Sequence, residues 1–237
     1  MTSIPLNLQA NLTTVQARIA AACTACGRDP ESVSLLVVSK TWPAESVRQV
    51  AALGQHAFGE NYVQEGVDKI AALADENLEW HFIGPLQSNK TRPVAEHFQW
   101  VHSIDRLKIA QRLSEQRPDG LPPLQVCVQV NVSGEASKSG CAPEEAVALA
   151  QAVAALPRLR LRGLMAIPEP TDDLPLLQSR FALLRDLRDR LIHQGLALDT
   201  LSMGMSHDLE TAIVGGATMV RIGTAIFGAR TYSKDPT

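Results

Sequence analysis

Aromatic residues are scarce in this sequence: three Trp, two Tyr and five Phe make up 4% of 237 residues. The apolar load is therefore aliphatic, which suits helices packed on buried strands better than a base-stacking surface. An excess of one charge is missing too. Lys and Arg total 22 against 25 Asp and Glu, a formal net charge of −3, without the basic surplus a nucleic-acid binder carries. No apolar run approaches the ~20 residues of a membrane-spanning helix. The opening Met1-Thr2-Ser3-Ile4-Pro5 lacks a basic stretch followed by an apolar core, so no secretory signal is expected. A cytoplasmic protein without nucleic-acid or membrane partners is the default expectation. No GxGxxG follows the first strand pattern, which weakens a dinucleotide-binding open sheet.

Cysteines are few and scattered, at Cys23, Cys26, Cys127 and Cys141. Cys23-Thr24-Ala25-Cys26 is a CxxC, but no second pair and no close Cys/His pair completes a zinc site. It also ends a helical pattern instead of opening a helix after a strand. Free reduced thiols are expected.

What is present is a repeated strand–helix grammar. Leu8, Leu12, Val15 and Ile19, with Ala22, form the stripe of an amphipathic helix that Gly27 stops. Val33–Val38 is a short β-branched run that reads as a buried strand. Further strands are predicted at Ala57–Gly59, Trp80–Gly84, Trp100–Ile104, Gln125–Asn131, Leu161–Ile167, Leu201–Met203 and Met219–Gly223. Helical patterns separate them, among them Pro143–Leu156 and Leu176–Gln194. Eight strands alternating with helices over residues 1–237 predict α/β architecture: a single (β/α)8 TIM barrel with an extra N-terminal helix. No linker or fixed-period repeat interrupts it. A doubly wound sheet is the main alternative.

A barrel places its chemistry at the C-terminal ends of the strands. Lys40 comes directly after the first strand. It is either a snorkelling strand-end lysine or a desolvated amine fit to attack an aldehyde. Strand 7 runs into Ser202-Met203-Gly204-Met205-Ser206 and strand 8 into Arg221-Ile222-Gly223-Thr224. These are either ordinary glycine turns or a phosphate cradle built from hydroxyls and close-approaching backbone N–H groups. Two adjacent loops where such barrels hold phosphate favour the cradle. A Schiff-base lysine and a phosphate cradle on one face point to pyridoxal 5′-phosphate (PLP). Strand alternation puts Arg221 on the same face as Gly223. There it is either a strand-end salt bridge or a permanent charge that would donate to the pyridine nitrogen and keep it unprotonated.

The residues that carry a family likeness are Val38-Ser39-Lys40-Thr41, Phe58–Glu65, His81–Lys90, Ser137–Gly140, Arg162–Met165, Ser202–Ser206 and Met219–Gly228. In this order the chain resembles the pyridoxal-phosphate homeostasis proteins, the YggS/PROSC family. The resemblance implies a barrel like the N-terminal domain of alanine racemase. It also implies a PLP Schiff base on Lys40, phosphate contacts from Ser206, Gly223 and Thr224, and Arg221 near the pyridine nitrogen. Asn61 and Met165 are expected at the barrel mouth, beside the ring. Lys90 and Lys138 are either secondary aldehyde-binding lysines or solvated loop residues. His207 stands where many members carry Asp, and is expected to face solvent.

The expected function is intracellular PLP homeostasis: binding, buffering and passing PLP to apoenzymes without catalysis. The alternative is an amino-acid racemase, which needs a second base across the cofactor. Related racemases bring a Tyr from another domain, and this sequence ends soon after its eighth strand. Its Tyr62 and Tyr232 are not obvious substitutes. The missing domain favours a monomer.

Overall fold

The computed structural model describes residues 7–135 and 139–229. The chain opens with helix α1 (Leu8–Ala25) and then alternates: β1 (Ser34–Val38), α2 (Ala44–Ala51), β2 (Ala57–Glu60), α3 (Val63–Ala72), β3 (Glu79–Phe82), α4 (Thr91–His97), β4 (Trp100–Ile104), α5 (Leu107–Gln116). It continues β5 (Leu124–Gln129), α6 (Pro143–Ala154), β6 (Leu159–Met165), α7 (Leu174–His193), β7 (Thr200–Ser202), α8 (Leu209–Val214), β8 (Met219–Ile222) and α9 (Thr224–Phe227). The strands pair in parallel in chain order, and β8 closes on β1 with Leu35 beside Val220. The predicted barrel is therefore the observed one.

Element ends differ from the sequence-based expectation for local reasons. β5 stops at Gln129 because Asn131 turns its side chain back on the chain. Asn131 Oδ1 accepts the Ser133 and Gly134 N–H groups, and its amide donates to the Glu135 carbonyl. Such a local bond competes with the sheet ladder. α7 starts at Leu174 because Asp173 caps it, accepting the Leu176 N–H at 3.0 Å. The short α9, directly after β8, carries too few residues to show a helical period.

Strand alternation sorts the two cores. Along β8, Val220 and Ile222 join the large apolar layer beneath the helices, whereas Met219 packs with Leu36 and Ile83 inside the barrel. Trp100, Cys127 and Met165 form a second interior cluster. The interior also holds polar side chains: His81, His102, Ser202 and Arg221 are at most 4% exposed. The CxxC cysteines are free, with Cys23 buried in the α1 stripe.

The extra helix buttresses the C-terminal face. Its stripe of Leu8, Leu12, Val15, Ile19 and Ala22 is buried as the spacing predicts. From its outer side Asn11 donates to the Ile226 carbonyl in α9 at 2.8 Å, and Arg18 donates to the Ser206 carbonyl at 3.1 Å. Arg18 is anchored by a 2.7 Å ion pair with Glu210 of α8. One helix thus ties down both loops that come after β7 and β8.

The turn after β1 is held from the other side. Trp42 N–H bonds the Ser39 carbonyl, so Lys40 and Thr41 occupy the centre of a tight turn. Thr41 has φ +67°, a conformation that a β-branched residue adopts only under constraint. The constraint is a buried charge cluster. Lys69 Nζ donates at 2.7 Å to the Ser39 carbonyl, Glu60 Oε1 and Glu65 Oε1. Ser39 Oγ donates to Glu60, and Thr41 N–H donates to Glu65. Both neighbours of Lys40 are therefore clamped.

Glu60 is fully buried, and burial raises its pKa against the opposing pull of Lys69. Lys69→Met keeps the stem but leaves that carboxylate unpaired, which costs about 3–5 kcal/mol. A raised folded pKa contributes stability at low pH that is lost as the pH rises through the folded value. The variant raises that value further. Its deficit in urea unfolding should be small at about pH 5 and reach its full size at about pH 8. A deficit equal at both pH values contradicts the role given to this pair.

Candidate functional site

A cleft of about 200 Å³ opens at the C-terminal ends of β1, β2, β7 and β8. It gathers Lys40, Asn61 and Ser206 with the Arg221, Gly223 and Thr224 segment, four stretches separated in the sequence. These are six of the seven residues expected at the site. The seventh, Met165, is not among the lining residues. It is the last residue of β6, and alternation turns its side chain into the barrel, where it is fully buried against Trp100 and Cys127.

Each wall has a local cause. Lys40 projects from the clamped turn after β1. Asn61 comes just after β2, and its Oδ1 is buried with no hydrogen-bond partner among the described residues. Gly84 makes room for that backbone: a Cβ there would stand 2.1 Å from the Asn61 carbonyl oxygen. Gly204 turns the chain out of β7 at φ +97°, which L side chains disfavour. Ser206 is then brought to α9, where its Oγ accepts the Ala225 N–H at 3.3 Å and its hydroxyl hydrogen can still be donated. Gly223 and Thr224 form the entry to α9, opposite Ser206.

Arg221 forms the floor. Its guanidinium is buried, with Nη1 donating to Ser202 Oγ at 2.8 Å and Nη2 to the Ala166 carbonyl at 2.9 Å. Burial pulls its pKa down to about 10, with the nearby Asp208 acting the other way. The group stays cationic at neutral pH with donors to spare. Asp208 is itself raised by burial, although its carboxylate accepts the Met205 N–H.

The apolar walls, Val38, Trp42, Ile83 and Ile167, were not among the residues expected from sequence. Trp42 stacks on Phe227 of α9 with ring centroids 5.3 Å apart, joining the Lys40 turn to the Gly223–Thr224 end. A Trp just after a strand, in a chain so poor in aromatics, was the available signal. His207 is exposed on the rim, shared with a neighbouring groove beside Pro168 and Asp172. Lys90 is exposed and does not line the cleft. Lys138 and Tyr232 lie outside the described residues.

A larger depression of about 330 Å³ lies at the opposite end of the barrel, lined by Glu79, Trp100, Arg162 and Asp199. Arg162 is paired there with Asp199 and lies 4.9 Å above the Trp100 ring. That end of a barrel serves stability. Arg158, just before β6, pairs likewise with Asp119 at 2.9 Å.

Chemically, the cleft offers one amine, hydroxyl and backbone donors at one end, and a buried cation beneath. Amine, anion donors and a partnerless buried acceptor at Asn61 fit a phosphorylated aldehyde.

Known proteins give the chain its family. The family described as alanine racemase, N-terminal domain, matches residues 8–231. A Pseudomonas aeruginosa protein named pyridoxal phosphate homeostasis protein is 68% identical over 222 residues, covering 94% of this chain and 95% of that one. PipY of Synechococcus elongatus, solved with PLP bound, superposes with a TM-score of 0.77 at 38% identity, over 89% of this chain and 100% of that one. An alanine racemase from Clostridium difficile shares the fold at 16% identity and a TM-score of 0.75, with 96% of this chain matching 58% of the racemase. The chain belongs to the alanine racemase N-terminal domain family and, within it, to the pyridoxal phosphate homeostasis proteins.

Proposed function

We propose that this protein binds PLP covalently through Lys40, keeps the free aldehyde scarce, and releases the cofactor to apoenzymes without turning over amino acids itself. The observation that carries this reading is the convergence of Lys40, Ser206, Thr224 and Arg221 on one cleft. The relatives named for PLP homeostasis and the PLP-bound PipY support the choice of ligand.

Lys40 supplies the amine. It is the group that would hold the cofactor, because an amine at a strand end is suited to condense with an aldehyde. The clamped turn holds the lysine backbone still, so little order remains to be imposed on binding. Ser206, Thr224 and the Gly223 backbone take the phosphate, as charge-assisted hydrogen bonds. Arg221 would hold the pyridine nitrogen through a donor left over from its bonds to Ser202 and Ala166. When bound, PLP supplies an electron sink, and an unprotonated ring weakens it.

Racemisation also needs a base opposite Lys40. Among the described residues, the titratable side chains lining the cleft are Lys40, His207 and Arg221. His207 adjoins Ser206 at the phosphate end, and Arg221 is cationic. Neither is placed to abstract a proton opposite the lysine.

Borohydride treatment of fresh PLP-loaded protein should fix pyridoxyl on the peptide containing Lys40, and Lys40→Ala should abolish the absorption band near the visible; a label mainly on Lys90 or Lys138 contradicts the assignment. Ser206→Ala removes a hydrogen bond to a charged group worth about 1.5–3 kcal/mol and should weaken PLP binding roughly tenfold or more. Pyridoxal should bind much more weakly than PLP, and equal affinities contradict the phosphate placement. Finally, deuterium exchange at Cα of alanine and serine, followed by chiral analysis, should show no turnover. A rate of even ~1 s⁻¹, at the low end of ordinary enzymes, restores the racemase reading.

A further inference from the structure

The buried polar side chains inside the barrel form one connected line. Arg221 Nη1 bonds Ser202 Oγ at 2.8 Å, and Ser202 Oγ meets His102 Nδ1 at 2.8 Å. His102 Nε2 meets His81 Nδ1 at 2.9 Å, and His81 Nε2 meets Glu79 Oε1 at 2.8 Å. Ser202 and both imidazoles are sealed from solvent and Arg221 is buried beneath the cleft, whereas the Glu79 side chain is 49% exposed at the far end of the barrel. The line crosses from β8 through β7, β4 and β3.

Its direction is determined by its ends. Arginine only donates and a carboxylate only accepts. Burial lowers the pKa of both imidazoles, and that of His102 lies well below the ordinary value, so both are neutral. The His81 N–H holds Glu79 below the usual carboxylate range. With Glu79 as acceptor, His81 must carry its proton on Nε2 and accept on Nδ1. His102 must then do the same, and Ser202 must donate its hydroxyl hydrogen to His102. That leaves the Ser202 lone pairs for Arg221. Every bond in the line points from the cation toward the carboxylate, the arrangement in which consecutive hydrogen bonds polarise one another.

We propose that Ser202, His102 and His81 are positioning residues for Arg221, forming a one-way hydrogen-bond relay through the barrel that ends on Glu79 and holds the guanidinium in the geometry that presents its remaining donors to the cleft. This rests on the reading that Arg221 faces the PLP ring nitrogen. A long arginine side chain otherwise samples many rotamers, and the relay removes that freedom before ligand arrives.

The test compares PLP with its 1-deaza analogue, in which C–H replaces the ring nitrogen, by binding titration on the full chain. The wild-type protein should favour PLP by tenfold or more. Equal wild-type affinities would overturn the Arg221 reading itself. Ser202→Ala should shrink the preference by about threefold to tenfold, while its affinity for the deaza analogue stays close to that of wild type. A mere loss of packing weakens both ligands alike. An undiminished preference in folded Ser202→Ala overturns the relay and leaves the Arg221 reading intact. A second measurement needs no variant: nitrogen-15 NMR of the ligand-free protein should find His81 and His102 neutral, each with its proton on Nε2. A proton on Nδ1 of either ring, or a charged His102, overturns the proposal.

Discussion

A guanidinium buried inside a closed barrel is the constraint to which the rest of this structure answers. A charge taken out of water is tolerated only where its donors are met and opposite charge is near. Arg221 meets that demand with the Ser202 hydroxyl, the Ala166 carbonyl and the field of Asp208. The cost spreads along the interior, where His81, His102 and Ser202 take places that aliphatic side chains usually fill in such barrels. Aliphatic packing is shifted outward, to the layer between strands and helices. Polar interior and apolar shell are two sides of one arrangement.

The same logic governs the cleft edges. Three groups of contacts, each remote in sequence, fix its three ends: α1 through Asn11 and Arg18 at the loops after β7 and β8, the Glu60–Glu65–Lys69 cluster at the Lys40 turn, and the Trp42–Phe227 stack between them. Such a site is built to hold a ligand with little rearrangement. Turnover demands more than holding: a second base, and exclusion of water from the reacting carbon. The described residues provide the first set of features and do not place the second base.

Much of this was legible in the chain itself. Barrel topology was written in eight short apolar runs separated by helical patterns, and six residues that line the cleft stood at the C-terminal ends of those runs. Arg221 and Gly223 shared a face because strands alternate. The same alternation, carried one residue further at the end of β6, turns Met165 inward. Lys69 was hidden because it lies beside the Val63, Val67, Ile70 and Leu73 stripe and reads as a solvated helix residue. Only the fold brings it under Ser39. His81 and His102 were visible as histidines within strands, but they meet through the pairing of β3 with β4, and His102 reaches Ser202, 100 residues away, only across the barrel interior.

In the proposed binding mode Arg221 meets the bound ring as a donor and keeps its nitrogen unprotonated. Nitrogen-15 NMR of protein loaded with PLP labelled at the ring nitrogen tests it directly. The expected resonance is that of a neutral, hydrogen-bond-accepting pyridine that holds through the neutral range, because the guanidinium stays cationic there. A pyridinium resonance at neutral pH would contradict it.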